Sequence, residues 1–454
     1  GFSCYNFDIG LRGFPLADYM CIGEAETSIG PLLSELLKSG KSKDLPGVLS
    51  KFDSPDRVFT AASMIHDLNT IEFPKYTWSD LKPYVNWDGY QLVPIIASRG
   101  CRWSRCTFCA ERFYWRIRSA KDFVDELEWH VKKGHYLFMF NESDLNGMPE
   151  RVLEICDEII QRGLHKKVKL TGQLRIHRKS DRAFFQKLHE AGFVALRFGV
   201  DSFSRNGMKL QQKGYTPEIV EQNLRDCSEA GIFVEVNWVI GVPGERESDI
   251  DEGIEFILKN KEYIGRLANL NPLILVNGSV YWLNPSEFKI SFKGEWQELK
   301  EKFPRAIPAA LWWSDDPYID ATVRQMWFLK VVSELYKKGF PIGDWAKQVI
   351  SDVESMKDKA RSGVENETTT PVELEIISQE EKPLAKPPTG QIYTLLEVYR
   401  GYAIFSSEGV FYATRDEQNT KIELDLKSVA LYKEKEYRVL KEKIDDAISW
   451  ADTR

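Results

Sequence analysis

The chain has 454 residues, 43% of them hydrophobic and 28% charged, an ordinary globular composition whose length suggests about three domains. Its net charge of −7 argues against a general nucleic-acid-binding surface, and no run of about 18 apolar residues is present to span a membrane. Seven cysteines, an odd number with no disulfide framework, point to a reducing, cytoplasmic setting.

The chain opens on Gly1-Phe2-Ser3-Cys4, which reads as the interior of a domain, so the expectation is an N-terminally truncated fragment. Residues 18–22 have a strand pattern and Gly23-Glu24-Ala25-Glu26 a turn. Ile29, Leu32, Leu33, Leu36 and Leu37 then share one face of a helix predicted over 28–37. These elements place a first α/β unit in residues 1–60. Residues 61–90 read as an irregular linker, because Pro74 and Pro83 interrupt any helix there.

Residues 92–98 form an apolar run that predicts a buried strand. Directly after it stand Cys101, Cys106 and Cys109, three thiols within nine residues. They lie on a loop at the C-terminal end of a strand, where α/β folds place their chemistry. Arg102, Ser104 and Arg105 make this loop too polar for core, and three soft ligands on one loop suit a metal centre. A structural zinc site is closed by four protein ligands, so zinc needs a distant fourth such as His130 or Cys156. A 4Fe–4S cluster held by three thiolates instead leaves one iron open to a substrate or cofactor.

From there strand and helix alternate. Ser119 and Asp122 open a helix with Phe123, Val124, Leu127 and Val131 on one face. A strand over 136–140, a helix over 149–162 and a strand over 168–171 follow. Ser180 caps a helix that Gly192 ends, ahead of a strand over 193–200. Thr216-Pro217 begins the next helix, proline being suited to the first helical position. Strands over 232–240 and 270–276 enclose a helix over 248–258. Glu190-Ala191-Gly192 recurs as Glu229-Ala230-Gly231 one helix–strand unit later, as in a parallel α/β barrel. Six strands thus fill a core over 91–290. Helices over 321–338 and 344–361 make 291–361 a helical extension. The polar stretch 362–390 reads as a flexible linker. Residues 391–454 read as a small β module, with strands near 393–399, 403–406 and 410–414 and a terminal helix near 433–450.

The cysteine loop resembles the signature of the radical S-adenosylmethionine (radical SAM) superfamily, Cys-x3-Cys-x-aromatic-Cys, with Phe108 in the aromatic place. It departs from that signature by one extra residue between Cys101 and Cys106. Over residues 90–290 the resemblance implies a six-stranded (β/α)6 partial TIM barrel. Cys101, Cys106 and Cys109 would hold a 4Fe–4S cluster whose open iron takes S-adenosylmethionine. Glu142 and Asp144, after the second strand, stand where the family carries an acidic motif for the cofactor's amino group, although its Gly-Gly-Glu form is absent. Asp201 and Ser202, after the fourth strand, resemble its Gly-x-Glu-Ser segment with Asp for Glu. Asn237, Val239 and Gly241 belong to a segment similar to Ile-x-Gly-x-Pro-Gly-Glu, whose backbone approaches the adenine. Arg175 ends the third strand and faces the same mouth, as a partner for a substrate or the cofactor carboxylate. From the residues alone, Glu142 and Asp144 equally suit N-capping ahead of Pro149, Asp201 the capping of a turn, and Arg175 a surface salt bridge.

The N-terminal strand, Gly-Glu turn and helix resemble the tail of the Rossmann-like cobalamin-binding domain that precedes many radical SAM barrels. The resemblance implies an enzyme that cleaves S-adenosylmethionine reductively to a 5′-deoxyadenosyl radical, with an electron from a flavodoxin- or ferredoxin-type donor. The cobalamin-dependent branch favours methylation of an unreactive carbon or phosphorus in a small molecule or peptide, with cobalamin bound in the full-length protein. Alternatives are a methylthiotransferase, a peptide-maturation enzyme, or a non-enzymatic metal-binding scaffold with a degenerate cofactor pocket. The acidic balance disfavours a nucleic-acid substrate.

Overall fold

Hydrophobic patterning builds a frame of parallel strands under a layer of helices. The computed structural model describes residues 17–42, 44–53, 57–76, 91–343, 346 and 349–350, together with the backbone of 394–399, 402–407, 410–415 and 432–434. Expected features in 1–16, 77–90, most of 344–361, 362–390 and 435–454 lie outside the described residues. The chain forms two units, residues 1–365 and 366–454.

The first unit begins with β1 (Tyr19–Cys21), α1 (Ile29–Ser39) and β2 (Val48–Ser50), β1 pairing antiparallel with β2. Next come β3 (Val93–Ile95) and the short antiparallel bracket of β4 (Ser98–Arg99) and β5 (Arg116–Ile117), which closes the cysteine loop at its base. The helical layer and the remaining strands then alternate as α2 (Ala120–Lys132), β6 (Leu137–Phe140), α3 (Pro149–Gln161), β7 (Lys169–Leu174), α4 (Arg182–Ala191) and β8 (Phe193–Asp201). They continue as α5 (Arg205–Leu210), α6 (Pro217–Glu229), β9 (Phe233–Ile240), α7 (Glu247–Lys259) and β10 (Arg266–Pro272). The six strands lie in the order β3-β6-β7-β8-β9-β10 with each neighbouring pair parallel, the (β/α)6 arrangement of a partial TIM barrel.

Local chemistry sets the helix ends. The Ser119 hydroxyl accepts the Asp122 N–H at 3.2 Å to start α2, and Pro149 and Pro217 occupy the first turns of α3 and α6. Asp181, not Ser180, caps α4 by accepting the Phe184 N–H at 3.0 Å. Ser180 is buried instead, its hydroxyl accepting from the Asn146 amide at 3.0 Å.

The strands have two unlike faces. Leu196, Phe198 and Val200 of β8 and Val234, Val236, Trp238 and Ile240 of β9 are buried against the helices, each large side chain contributing about 1.5–3 kcal/mol. The Phe140 ring lies 4.9 Å from that of Phe123 on α2 and 5.0 Å from that of Phe193. On the opposite face Ala195, Arg197, Gly199 and Asp201 alternate with them and stay half-buried, as do Asn237 and Val239. This inner face is polar. Glu235 receives Arg197 at 2.9 Å and Arg266 at 2.5 Å from the strands on either side, and one step along the strand Asn269 donates to Asn237 at 3.2 Å.

Further expectations need correction. The sixth strand starts at Arg266 rather than at 270, and a register shift between Leu267 and Asn269 disrupts the alternation that would have revealed it. The extension is also not purely helical. Ile290–Phe292, Trp312–Asp315 and Tyr318–Ile319 form a three-stranded antiparallel sheet, and Leu275–Val276 pairs with Ala306–Ile307. The expected helix is present as Ala321–Lys337, and its Trp327, Val331, Val332 and Leu335 join the barrel core. In the second unit Thr394–Tyr399, Tyr402–Ser407, Val410–Arg415 and Tyr432–Glu434 form an antiparallel sheet in chain order. Lys433 and Glu434 are therefore strand, where a helix was expected to begin. No described helix is long and apolar enough to cross a membrane.

Gly253 of α7 rests on the fully buried Trp238, whose ring a Cβ would meet at 2.4 Å. Gly253→Val should destabilise the fold by about 1–3 kcal/mol through overpacking, seen as a lower denaturant midpoint. An unchanged midpoint would show that α7 is not seated on β9.

Candidate metal and cofactor site

The cysteine loop leaves β4 through Gly100 and Ser104, whose φ angles of 84° and 49° lie in the left-handed region. A Cβ on Gly100 would stand 2.6 Å from the Phe113 carbonyl oxygen, so glycine is required there. Cys101, Cys106 and Cys109 are free, half-buried thiols. Thr107 pins the loop between them. Its N–H donates to the Gln211 carbonyl at 3.2 Å, its hydroxyl donates to that of Leu210 at 3.0 Å, and its own carbonyl accepts the Tyr281 N–H at 3.3 Å. The lengthened span from Cys101 to Cys106 is docked through Trp103. The indole N–H donates to the Gln212 carbonyl at 2.8 Å, and the Arg175 guanidinium lies 4.4 Å over the ring. Gly214 leaves room beneath, for a Cβ there would meet the indole at 2.2 Å.

The acidic residues after β6 turn towards this loop. Asp144 Oδ2 accepts the Arg102 N–H at 3.1 Å and lies 3.7 Å from Cys101 Sγ. Burial raises the Asp144 carboxyl above the usual range. Glu142 is wholly buried, its Oε1 accepting the N–H groups of Ala97 and Ser98, and burial pushes it up to about 8. Neither carboxylate caps α3, whose N-cap is Met148 without a side-chain bond.

Asp201 ends β8 with φ 60° and forms a 2.6 Å ion pair with the buried Lys213. Burial opposes the charge on Lys213, but Asp201 outweighs it and holds the ammonium well above the ordinary lysine range. Lys213 also lies 5.6 Å over Phe108. The turn after Asp201 is capped by Ser204, not Asp201, through the Gly207 N–H at 2.9 Å. Gln211 joins two strand ends by donating to the carbonyls of Asp201 at 2.8 Å and Val239 at 3.0 Å. Arg175 makes no ion pair among the described residues; it donates to the Lys213 carbonyl at 2.7 Å and supports Trp103. Asn237 and Val239 lie on the inner face of β9. Gly241 follows them with φ 77°, its N–H donating to Glu245 Oε2 at 2.5 Å.

These groups fit one cofactor set better than another. Among the described residues no three His, Cys, Asp or Glu side chains are placed to hold a single metal ion. His130 bonds the Pro74 carbonyl at 3.1 Å, and Cys156 is sealed within α3, so neither completes a zinc site with the loop. Three thiols on one loop suit a 4Fe–4S cluster, and the Glu111 N–H already points at Cys109 Sγ from 3.3 Å. Burial pushes the Cys109 thiol up to about 12, and a bound cation would favour its thiolate. Asp144 Oδ1, Glu142 Oε2, Ser202 Oγ and Gln211 Oε1 are buried around the same strand ends without hydrogen-bond partners among the described residues. Unpaired acceptors of this kind suit a cofactor bearing ammonium and hydroxyl groups.

Residues 95–257 match the radical SAM superfamily. The chain carries a radical SAM domain. It is 28% identical to the anaerobic magnesium-protoporphyrin IX monomethyl ester cyclase of Cereibacter sphaeroides, over 55% of this chain and 42% of that protein. It is 24% identical to the bacteriochlorophyllide d C-8(2)-methyltransferase of Chlorobaculum tepidum, over 56% of each. The chain thus spans about half the length of the curated relatives it matches. Its fold is similar to the radical SAM methyltransferase TsrM of Kitasatospora setae, solved with cobalamin and a 4Fe–4S cluster, with 19% identity, TM-score 0.51 and coverage of 65% and 61%. It is also similar to the cobalamin-dependent radical enzyme OxsB with aqua-cobalamin bound, with 15% identity, TM-score 0.54 and coverage of 79% and 57%.

Sequence reasoning missed several residues of the radical SAM domain's mouth. Lys213 and Gln211 sit between α5 and α6 in a stretch without periodicity, and only the charge of a lysine beside Gly214 hinted at a role. Arg324, from the helix Ala321–Lys337, is buried in the extension. Its Nε donates to the Gly241 carbonyl at 3.1 Å, and its guanidinium stacks 3.6 Å from the Trp312 ring. Glu245 is buried beside it and is pushed up to about 8 by desolvation.

That last shift has a signed consequence. An ordinary glutamate ionises near 4.3, so between about pH 5 and 8 the native state holds a proton that the unfolded state has lost. The contribution of Glu245 to stability therefore falls as pH rises through that window. Glu245→Gln should be close to neutral at pH 5 and gain relative stability towards pH 8, on the order of 1–4 kcal/mol. Thermal melts across that range measure it, and a difference independent of pH would contradict the assignment.

Proposed function

We propose that this chain is the catalytic core of a radical SAM enzyme, and that cobalamin-dependent methylation of an unreactive carbon or phosphorus is its reaction. The observation that carries the first part is the placement of Cys101, Cys106 and Cys109 on a pinned loop at the mouth of a parallel barrel with a polar inner face. Cys101, Cys106 and Cys109 would hold a 4Fe–4S cluster, which when bound would supply the one-electron chemistry that reductive cleavage of S-adenosylmethionine needs. The residues of the chain bind, orient and exclude water. Asp144, Glu142 and Ser202 offer acceptors for the cofactor's amino and ribose groups, Lys213 holds Asp201 in place through their ion pair, and the Gly241 turn lets backbone approach the adenine. A flavodoxin- or ferredoxin-type protein in the cytoplasm would be the electron donor, and a small molecule or peptide the substrate.

Support for methylation comes from the methyltransferase relative of Chlorobaculum tepidum and from cobalamin in the TsrM and OxsB structures. The cyclase relative of Cereibacter sphaeroides, the more identical of the two, supports ring formation as a second reading.

Anaerobically reconstituted protein should bind four irons per chain, and reduction in the presence of S-adenosylmethionine should release 5′-deoxyadenosine. Alanine at Cys101, Cys106 or Cys109 should abolish both, while Cys156→Ala, far from the loop in α3, should retain iron. A single zinc, or iron lost with Cys156, would refute the cluster. Asp201→Asn should weaken S-adenosylmethionine binding about ten- to a hundredfold at full iron content. Asparagine is preferred to alanine because it keeps an acceptor for the buried Lys213. Unaltered affinity would move the role to Glu142 or Asp144.

A further inference from the structure

The base of the cysteine loop contains an apparent mistake. β4 and β5 set Arg99 directly opposite Arg116, and like charges facing each other across a ladder repel. The repulsion is relieved from far away in the chain. Glu24 Oε1 lies 2.8 Å from Arg99, and its Oε2 lies 2.8 Å from Arg116. Glu24 and Arg116 are only 7% and 8% exposed, so little water screens the contact. The same Glu24 Oε2 accepts the Ile65 N–H at 2.9 Å, Arg116 donates back to the Ile65 carbonyl, and Glu26 takes a second nitrogen of Arg99. Burial works against a charge on Glu24, yet the two arginines draw its carboxyl down to about 2. Both acidic residues of the Gly23-Glu24-Ala25-Glu26 turn therefore grip the strand that leads into Cys101. Glu24, Glu26 and Ile65 lie outside residues 95–257, the part that matches the superfamily, whereas the two arginines lie within it.

We propose that Glu24 is a positioning residue for the cluster: by bridging Arg99 and Arg116 it holds the two stems of the cysteine loop together, so that the three thiols are gathered before iron arrives. The inference rests on the cluster reading, and its test separates the two. In the full chain without iron, Glu24→Gln should speed amide exchange in residues 98–101 and 113–118 by about tenfold or more, with β7 to β9 unaltered. Adding Arg116→Gln removes the facing charges and should return that exchange towards the native rate. Glu26→Gln, whose carboxylate is more exposed, should change it by less than about threefold. After anaerobic reconstitution, an iron chelator should bleach the Glu24→Gln cluster about tenfold faster than the native one. Native exchange in Glu24→Gln, exchange raised equally throughout the barrel, or no relief from Arg116→Gln would overturn the clamp. Hairpin exchange as expected, with neither protein taking up iron, would uphold the clamp and refute the cluster.

Discussion

In a sheet of parallel strands the C-terminal ends all reach the same edge, and the crossover helices must cover one face. Both consequences are visible here. The helices bury Phe138, Leu196, Phe198 and Trp238, leaving the inner face free to carry Arg197, Glu235, Asn237 and Asn269. A barrel that is a packed core fills its interior with branched apolar side chains. This one keeps polar groups there, paired with one another across β8, β9 and β10. The shared edge then brings Cys101, Asp144, Arg175, Asp201 and Gly241 to one mouth, although they come from five separate strand ends.

Charge inside that mouth is handled in pairs and by neutralisation. Asp201 and Lys213 compensate one another in a nearly dry setting, which is tolerable because their geometry is close and Lys213 has aromatic neighbours. Among the described residues Glu142 and Glu245 have no cation in hydrogen-bonding contact, and burial holds both towards the protonated form while backbone N–H groups bond them. The carboxylates near the strand ends are thus of two kinds, one paired with a lysine and the other bonded by backbone N–H groups alone.

The fold was largely legible because its long elements repeat at a clear period. Val124 and Leu127 on α2, or Phe184, Phe185 and Leu188 on α4, mark a buried stripe without ambiguity. Where elements are short, the period cannot be seen. The strands Ile290–Phe292 and Tyr318–Ile319 offer three and two residues, too few for alternation, and the register shift in β10 hid its first half. Of the site, the cysteine spacing was readable because three thiols on one loop have few other uses. Glu142 and Asp144 were found but not their contacts, since sequence does not say that one carboxylate faces the loop sulfur and the other the backbone of Ala97. Lys213 and Arg324 were invisible for a different reason: each matters only through a partner distant in sequence.

Arg324 also bears on what counts as a module. Its side chain fills the space left by the missing Cβ of Gly241, and the helix that carries it contributes four apolar residues to the barrel core. The segment that evolution reuses and the segment that folds are therefore different lengths. A chimera cut at the edge of the shared segment, residues 95–257, would transplant the cysteines but omit β10 and leave a void beside the Gly241 turn and bare apolar surface on β9. In this chain the barrel and the extension thus form one packing unit, and the turn at Gly241 keeps its shape only while the helix that carries Arg324 is present.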